Sequence, residues 1–311
     1  MREIISVAVI CYKSSATVTD TLNSILVQNY GSKFIELIIS DDCSNDNTID
    51  VIERWIEVNQ HQFHSVKLFS AKCNGGVAIN CNIAWRNCSS DWIKTIAADD
   101  ILTPNCISDN MSFINSNADA SLIFSKMFSF TQDSKISKEM PYDIEFFSLN
   151  SSEQLEKLIK DCSLQAPSSF IRKSLLEDVG YAEEKYNMLE DYPLWFKILK
   201  MGTKISFLDK NTVLYRNADS LSQQVTKIGN VAYLNSLYSF QQDCLWPYYK
   251  GILVFKKWDD YIVNGSKLLW INNVSNVNSL FFKAFYKALF LIRPYLIWKL
   301  AHAIKCRIRV K

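Results

Sequence analysis

The chain has 311 residues and is 48 % apolar, which is long and apolar enough to bury one large core or two modest ones and excludes a mainly disordered protein. Its 34 basic and 32 acidic side chains give a net charge of +2, which excludes the strong overall positive field typical of nucleic-acid-binding proteins. The charges are uneven along the chain, because residues 261–311 contain nine basic and no acidic side chains, whereas residues 1–260 contain 25 basic and 32 acidic ones.

Strand and helix patterns alternate through the first hundred residues. Short apolar runs rich in β-branched residues predict strands, and apolar positions three or four residues apart predict helices. The predicted strands are residues 4–11, 34–39, 66–70 and 91–97, and the predicted helices lie around residues 18–26, 49–56 and 77–87. Because strands joined through helices run parallel, the sequence predicts an α/β fold with a mostly parallel sheet and helices on both of its faces.

Paired carboxylates follow two of the predicted strands. Asp41 and Asp42 come after the second strand, and Asp99 and Asp100 after the fourth. Ligands of such sheets bind at the carboxyl ends of the strands, and adjacent aspartates repel each other unless a cation or a donor-rich ligand offsets their charge. Their oxygen atoms suit Mg²⁺ or Mn²⁺ between protein and phosphate, and the chain has neither a G-x-G-x-x-G nor a P-loop motif. The alternative interpretation is that each pair caps the turn or helix that follows it.

Three segments of the sequence resemble one enzyme family. They read VAVICYKSSATVTDTLNSILVQNYGSKFIELIISDDCSNDNT, NGGVAINCNIAWRNCSSDWIKTIAADDILTP and MLEDYPLWFKILKMG, in that order. Together they closely resemble the inverting family 2 glycosyltransferases, over roughly residues 4–217. The resemblance implies the GT-A fold, a Rossmann-like, mostly parallel sheet with flanking helices that binds a nucleotide sugar.

The resemblance implies a nucleotide site at the ends of the first, second and fourth strands. Asp99 and Asp100 would form the DxD-type element, which meets the ribose and the Mg²⁺ or Mn²⁺ ion on the diphosphate. The other positions implied to contact the nucleotide are Cys11, Tyr12, Asp41 and Asp42. Asn74, Gly75 and Gly76 could also bring backbone amides to the diphosphate at the start of the third helix, or serve only to make a turn.

The acceptor side of the implied site lies later in the chain. In the pair Glu190 and Asp191, the resemblance makes Asp191 the general base that takes the proton of the acceptor hydroxyl, a role worth about 10²- to 10⁴-fold in rate. Glu190 and the loop with Ser168 and Ser169 would lie beside the acceptor. The alternative interpretation makes Asp191 a helix-capping acid next to Pro193.

The sequence departs from the family pattern at three places. Cys43 occupies the position of the usual glycine after the first aspartate pair, which could alter the turn, and Ala97 stands where many relatives have a further aspartate. Asn217 and Ala218 stand where relatives often carry a histidine, so a histidine metal ligand is not expected there. Two carboxylates therefore remain for the metal.

The C-terminal segment, residues 279–311, combines aromatic and aliphatic residues with eight basic and no acidic side chains. Its apolar runs are far shorter than the roughly 20 residues that span a bilayer. The composition is typical of an interfacial segment that buries its rings near lipid headgroups while Lys and Arg meet anionic lipid, with a kink expected at Pro294. The alternative is a C-terminal helix pair that packs on the catalytic body.

Cysteine and histidine usage bears on the compartment and the chemistry. Nine cysteines without a C-x-x-C pair indicate free thiols in a reducing compartment rather than disulfides or a zinc site. The N-terminus shows no signal-peptide pattern. The three histidines lie far in sequence from the candidate catalytic groups, which argues against a histidine base.

These observations predict a cytoplasmic glycosyltransferase, peripheral on the inner face of the cell membrane, with a catalytic domain at residues 1–217 and a mainly helical region at residues 218–311. It would move a sugar from a nucleotide diphosphate donor, first of all UDP, to a lipid-linked glycan such as an O-antigen or capsule unit, without a nucleic-acid partner. Two alternatives stay open. One is a nucleotidyltransferase, although basic residues near the glycine turn are sparse, and the other is a sugar-binding relative that has lost activity.

Overall fold

A computed structural model describes residues 2–130, 136–216 and 227–309, with side chains for all of these except 136, 137 and 302–309. The chain divides into two compact units, Met1–Ala218 and Asp219–Lys311. The first unit begins with regular alternation of strand and helix, as the sequence predicts. In chain order the elements are β1 (Ile5–Cys11), α1 (Val18–Leu26), β2 (Ile35–Asp41), α2 (Thr48–Asn59), β3 (Ser65–Ser70), α3 (Val77–Asn87) and β4 (Trp92–Ala97).

The two faces of β1 pack against different helices because successive side chains of a strand point to opposite sides. Ile5, Val7 and Val9 join one buried core with the apolar faces of α1 and α2. On the remaining side, α3 packs against β1 and β2. The near-continuous apolar run of β1 therefore reflects burial on both faces, as expected for a parallel strand in a layered α/β fold.

The second half of this unit mixes short helices with further strands. Its elements are β5 (Ile101–Leu102), α4 (Cys106–Ser116), β6 (Leu122–Phe130), β7 (Ile136–Glu139), α5 (Ile144–Ser148), α6 (Ser151–Lys160), β8 (Phe170–Arg172), α7 (Lys173–Asp178), α8 (Asp191–Lys200) and β9 (Ser206–Arg216).

The sheet is parallel where the chain alternates strand and helix, and mixed elsewhere. Within the described residues its strand order is β3-β2-β1-β4-β8-β6-β9-β5, with β7 paired to β6. Strands β3, β2, β1 and β4 run parallel, whereas β8 is antiparallel to both β4 and β6. The predicted Rossmann-like sheet with flanking helices is confirmed, and its parallel part aligns the ends of β1, β2 and β4.

The second unit is helical. It contains α9 (Val231–Phe240), α10 (Val254–Asp260), α11 (Ser266–Asn273), α12 (Leu280–Leu291) and α13 (Pro294–Arg309). Buried Asp259 accepts hydrogen bonds from the amides of Tyr295 (3.0 Å) and Leu296 (3.1 Å), which satisfies donors at the start of α13. Pro294 thus begins α13, and the kink predicted at this residue is a break between α12 and α13. Nowhere in residues 2–130, 136–216 and 227–309 is a helix both long and apolar enough to cross a bilayer.

Candidate active site

The carboxyl ends of β1, β2 and β4 meet at one edge of the sheet. The parallel register pairs Cys11 with Asp41, and Ile10 with Ala97. Because the strands end together, the acidic pairs that follow β2 and β4 lie at neighbouring positions. We call this edge, with Asp41, Asp42, Asp99 and Asp100, the acidic edge.

The carboxylate of Asp42 holds a turn of the backbone. Its two oxygen atoms accept hydrogen bonds from the amides of Gly75 (2.7 Å) and Gly76 (2.9 Å), and the Asn74 side chain donates to the Asp42 carbonyl (3.1 Å). The side chain of Asp42 is buried. The glycine amides proposed for a diphosphate are therefore occupied, and they could reach a phosphate only if Asp42 released them.

Asp41 closes the turn that follows β2. Its carboxylate accepts hydrogen bonds from the amide (2.8 Å) and the hydroxyl (2.5 Å) of Ser44. Cys43, between them, has a φ of 59°, in the left-handed region that favours glycine. Cys43 therefore adopts the turn conformation that a glycine would. The oxygen atoms of Asp41, which is fully buried, stabilise this turn.

The turn at Gly76 fixes the segment that carries Glu190 and Asp191. Gly76 has a φ of 90°, and a Cβ atom at this position would lie 2.5 Å from the carbonyl oxygen of Asn187. The amide of Ala78 donates to the same carbonyl (3.0 Å). Only glycine permits this approach, so the turn positions Glu190 and Asp191 against the start of α3.

Asp99 and Asp100 differ in exposure. Asp99 is exposed and Asp100 is buried. The Asp100 Oδ1 atom accepts a hydrogen bond from the Arg216 amide (2.9 Å), but the Oδ2 atom is buried without a hydrogen-bond partner in the described part of the chain. Burial and the neighbouring charge of Asp99 raise the pKa of Asp100 to about 8. This carboxyl thus has coordinating capacity that the fold does not use.

Arg216, at the end of β9, is a site residue that sequence analysis missed. Its guanidinium donates to the Asp99 carbonyl (2.7 Å) and to the Asp20 carboxylate (2.8 Å), and its Cζ atom lies 4.6 Å from the centroid of the Phe130 ring. It therefore ties β9 and α1 to the turn with Asp99 and Asp100. The available signal was the arginine of the block YRNADSLS, whose next two residues, Asn217 and Ala218, lie outside the described residues.

A cavity of about 120 Å³ opens beside Glu190 and Asp191, at the N-terminus of α8. Its walls come from the ends of β1 and β4, one face of α3, the first turns of α8 and the loop before β8. The apolar lining residues include Ile10, Val77, Cys81, Trp85, Ala97 and Leu194. Because Ile10 and Ala97 are paired near the ends of their strands, the cavity reaches the ends of β1 and β4, next to the acidic edge, although none of the four aspartates is in its lining.

The two carboxyl groups in this cavity hold protons more tightly than solvated carboxyls do. Burial and the charge of Asp191 raise the pKa of Glu190 to about 8. Burial also raises the pKa of Asp191, whose Oδ1 atom accepts a hydrogen bond from the Tyr192 amide (2.6 Å). Asp191 is therefore a stronger base than a solvated aspartate, which is what proton removal from a hydroxyl requires.

A buried lysine holds the loop on one side of the cavity. Lys94, fully buried in β4, donates to the carbonyls of Pro167 (2.5 Å) and Ser169 (3.0 Å), and both of these residues line the cavity. Ser168 is buried, its hydroxyl donates to the Gln165 carbonyl (2.9 Å), and it lines a separate small cavity. Ser169 thus lies at the same cavity as Glu190 and Asp191, whereas Ser168 does not, and the acceptor-side role of both serines stays a prediction. Lys94 was missed, although a lysine inside the apolar strand WIKTIA was a visible signal.

Cys11 and Tyr12, both predicted to contact the nucleotide, have opposite environments. The Cys11 side chain is fully buried, and burial raises the pKa of its thiol. The structure places Cys11 at the end of β1 as predicted, and because its side chain is not accessible, the predicted nucleotide contact would have to use its backbone. Tyr12 is 36 % exposed at the acidic edge, with the Lys13 ammonium 5.2 Å from the centroid of its ring.

Comparison with known proteins assigns the chain to a family. Residues 6–180, more than half of the chain, match the domain described as glycosyl transferase family 2. The chain belongs to this family. The predicted family is therefore confirmed.

Relatives in this family are distant. An uncharacterized glycosyltransferase of Rickettsia typhi is 28 % identical over 211 residues, 64 % of this chain and 60 % of the relative. The matched part thus spans less than two thirds of that protein. The glucosyltransferase WfaP of Escherichia coli is 25 % identical over 221 residues, 71 % of this chain and 80 % of WfaP. The crystal structure of Staphylococcus aureus TarS 1-349 with UDP-GlcNAc superposes with a TM-score of 0.61 at 18 % identity, covering 87 % of this chain and 76 % of that chain, which shows a shared fold.

The acidic edge of this family 2 chain fits a divalent cation with few protein ligands. Asp99 and Asp100 offer hard carboxylate oxygen atoms, and among the described residues no donor reaches the Oδ2 atom of Asp100. Within the described ranges, no group of three or more His, Cys, Asp or Glu side chains could hold a metal ion. Mg²⁺ and Mn²⁺ are commonly bound by one or two carboxylates together with substrate phosphates, so this pair would suffice when a diphosphate is present.

Proposed function

We propose that this chain is a metal-dependent inverting glycosyltransferase that moves one sugar from a uridine diphosphate donor to a hydroxyl of a lipid-linked glycan. One observation carries the proposal: Asp191 lies in a cavity that extends to the strand ends of the acidic edge. A sugar between Asp191 and the acidic edge would have its base on one side and its leaving group on the other.

Each carboxyl in this arrangement has a defined task. Asp99 and Asp100 would hold Mg²⁺ or Mn²⁺, which supplies positive charge to the departing diphosphate. Asp191 accepts the proton of the acceptor hydroxyl while that oxygen bonds to the anomeric carbon. Because attack comes from the side opposite to the diphosphate, the configuration at this carbon inverts. Arg216 keeps Asp99 and Asp100 in place through the contacts described above.

The names of similar proteins support the substrate classes. TarS was crystallized with UDP-GlcNAc, and the name of WfaP gives UDP-Glc as the donor and a GlcNAc-diphosphoundecaprenol as the acceptor. We extend uridine diphosphate and a lipid-linked acceptor to this chain on that basis, with O-antigen or capsule synthesis as the process. The eight cysteines whose side chains the structure describes are all free thiols, which supports a reducing, cytoplasmic compartment.

Calorimetric titration tests this proposal. UDP, dTDP and GDP are each titrated with Mn²⁺ and with a chelator. We expect UDP to bind with Mn²⁺ and to lose at least about 10-fold in affinity in chelator, because the cation bridges the diphosphate to Asp99 and Asp100. Binding that is equally tight in chelator would remove the metal from the proposal, and a chain that binds none of the three nucleotides would contradict the proposed function.

Helices α12 and α13 support a peripheral attachment to the inner face of the membrane. Large apolar side chains are exposed here, with Leu280 at 85 %, Phe281 at 72 % and Leu291 at 70 %. Such a surface is unusual for a protein that is fully surrounded by water. The basic side chains of residues 261–311 without any acidic residue complement an anionic lipid surface, at about 1 kcal/mol for each charge near the surface.

Flotation with lipid vesicles tests this attachment. We expect the wild type to bind vesicles that contain anionic lipid and a Phe281→Glu/Leu291→Glu variant to be released, since both changes place a charge on the exposed apolar surface. Val58→Glu in α2, at a residue that is 66 % exposed in the first unit, is the matched control and should float as the wild type does. Equal flotation of all three proteins would rule out α12 as the contact.

A further inference from the structure

The cavity beside Asp191 offers few free hydrogen-bonding groups. The Thr95 hydroxyl already accepts a hydrogen bond from the Trp85 indole (2.7 Å), and the Ser169 hydroxyl donates to the Ala166 carbonyl (2.7 Å). The remaining hydrogen-bonding groups of the lining side chains are the carboxyls of Glu190 and Asp191 and the Trp195 indole Nε1 atom, which is buried without a partner among the described residues. Most of the wall consists of aliphatic, aromatic or thiol side chains. Val77, Ala97 and Leu194 form its purely aliphatic part.

The donor sugar is the part of the substrate that meets this wall, an assignment that rests on the proposed function. The bond that breaks lies between the diphosphate at Asp99 and Asp100 and the anomeric carbon that faces Asp191. The sugar ring must therefore occupy the space between the acidic edge and α8. Ile10 and Ala97 border this space on the side of the sheet, and Val77 borders it at the start of α3.

A fully hydroxylated hexose, such as glucose, does not suit this apolar surface. Each hydroxyl that leaves water for an apolar wall without a partner loses its hydrogen bonds and destabilises the complex. A methyl group in the same place stabilises the complex, because its transfer from water to an apolar surface is favourable. The contrast between a few polar and many apolar lining groups thus bears directly on which sugar binds.

We infer that the cavity selects a donor sugar with a methyl-bearing substituent, an acetamido or a 6-deoxy group, over the corresponding fully hydroxylated hexose. The methyl would contact the wall formed by Val77, Ala97 and Leu194, and a hydroxyl of the ring would meet Glu190. One methyl in an apolar pocket discriminates by about 10- to 200-fold, which sets the expected preference.

Binding of matched donors tests this inference without knowledge of the acceptor. With Mn²⁺ present, UDP, UDP-glucose, UDP-N-acetylglucosamine and UDP-6-deoxyglucose are titrated against the full chain, and the fluorescence of Trp85 and Trp195 in the cavity wall reports occupancy. We expect one of the two methyl-bearing donors to bind about 10- to 200-fold more tightly than UDP-glucose. The acetamido and 6-deoxy arms show which substituent the cavity takes.

The outcomes separate this inference from the proposed function. If UDP binds and UDP-glucose binds as tightly as both methyl-bearing donors or more tightly, the inference is overturned while the nucleotide site stands. If none of the four ligands binds, the proposed function itself is contradicted, together with the inference that rests on it.

A near-isosteric substitution locates the preference in the cavity wall. Val77→Thr adds one hydroxyl to the wall at the first residue of α3 with little change in volume, and we expect it to reduce the preference over UDP-glucose several-fold while the affinity for UDP stays unchanged. Val58→Thr on the exposed face of α2 is the same change outside the cavity, and it should leave every affinity unchanged. An unchanged preference in Val77→Thr, with a melting temperature equal to that of Val58→Thr, would contradict the proposed contact.

Discussion

The acidic pairs of this chain fall into two kinds that look alike in sequence. In the first kind, the carboxylate oxygen atoms of Asp41 and Asp42 accept hydrogen bonds from the turns around Ser44 and Gly75. In the second kind, formed by Asp99–Asp100 and Glu190–Asp191, loss of contact with water raises the pKa values of the carboxyl groups, and the Oδ2 atom of Asp100 has no hydrogen-bond partner in the described part of the chain. The difference teaches that hydrogen bonds, and not position after a strand, separate a structural acid from one available to a ligand.

The largest effect is expected at Asp191. We expect Asp191→Asn to lower the transfer rate by about 10²- to 10⁴-fold, because an amide cannot accept the proton of the acceptor. UDP affinity should stay within about twofold of the wild type, since the proposed function places Asp191 at the acceptor hydroxyl and assigns the metal and the diphosphate to Asp99 and Asp100. Rate assays and calorimetry measure these two quantities. Asp178→Asn, at an exposed residue of α7, is the control, and a transfer rate that is equal in both variants would place Asp191 among the structural acids.

Arg216 is expected to act through the acidic edge. Arg216→Met removes the hydrogen bonds to the Asp99 carbonyl and the Asp20 carboxylate, and we expect Mn²⁺ affinity in the presence of UDP to fall about 10-fold, the equivalent of one charged hydrogen bond. Arg216→Lys restores the charge and should recover part of the affinity. A purely structural role predicts instead a lower melting temperature in both variants with unchanged Mn²⁺ affinity in the protein that remains folded.

Stability distinguishes Asp42 from Asp100. We expect Asp42→Asn to lower the free energy of unfolding by about 1.5–3 kcal/mol, because it loses a charged hydrogen bond and sets an amide against a backbone donor. Asp100→Asn keeps one acceptor for the Arg216 amide and puts a neutral amide in place of a carboxyl whose ionised form burial disfavours, so the free energy of unfolding should stay equal or rise. Urea unfolding without metal measures both. An equal loss in the two variants would contradict the division into two kinds.

The pH dependence of stability tests the environment of Glu190. Because burial and Asp191 raise the pKa of Glu190 from 4.5 to about 8, the folded state holds a proton that the unfolded state has released over this range. Stability from this group is therefore complete below about pH 4.5 and is lost as pH rises toward about 8. Glu190→Gln should lose less stability than the wild type between these pH values. Parallel curves for the two proteins would show that Glu190 is solvated like an ordinary surface acid.

Much of the first unit follows from pattern alone. Residues 5–11 and 35–41 are strands because apolar, β-branched runs must be buried on both faces, and the helices between them follow from apolar spacing. Cys11 shows where this reasoning stops, because its place at a strand end was predicted but its complete burial was not. Lys94 and Arg216 were missed because each acts through a partner 73 or more residues away, which no local pattern reveals.

The sequence by itself determined the family, the alternation of strand and helix, and the strand ends at which the acidic pairs lie, because these depend on local periodicity and on short motifs. The tertiary structure decided which acids remain available. Asp42 is occupied only because Gly75 and Gly76 return to it from 33 and 34 residues away, and Asp191 meets the cavity only because the Asn187 carbonyl packs against Gly76. Hydrogen bonds between distant segments determine which polar atoms have partners. Which aspartates are structural and which are available to a ligand is therefore a property of the folded chain.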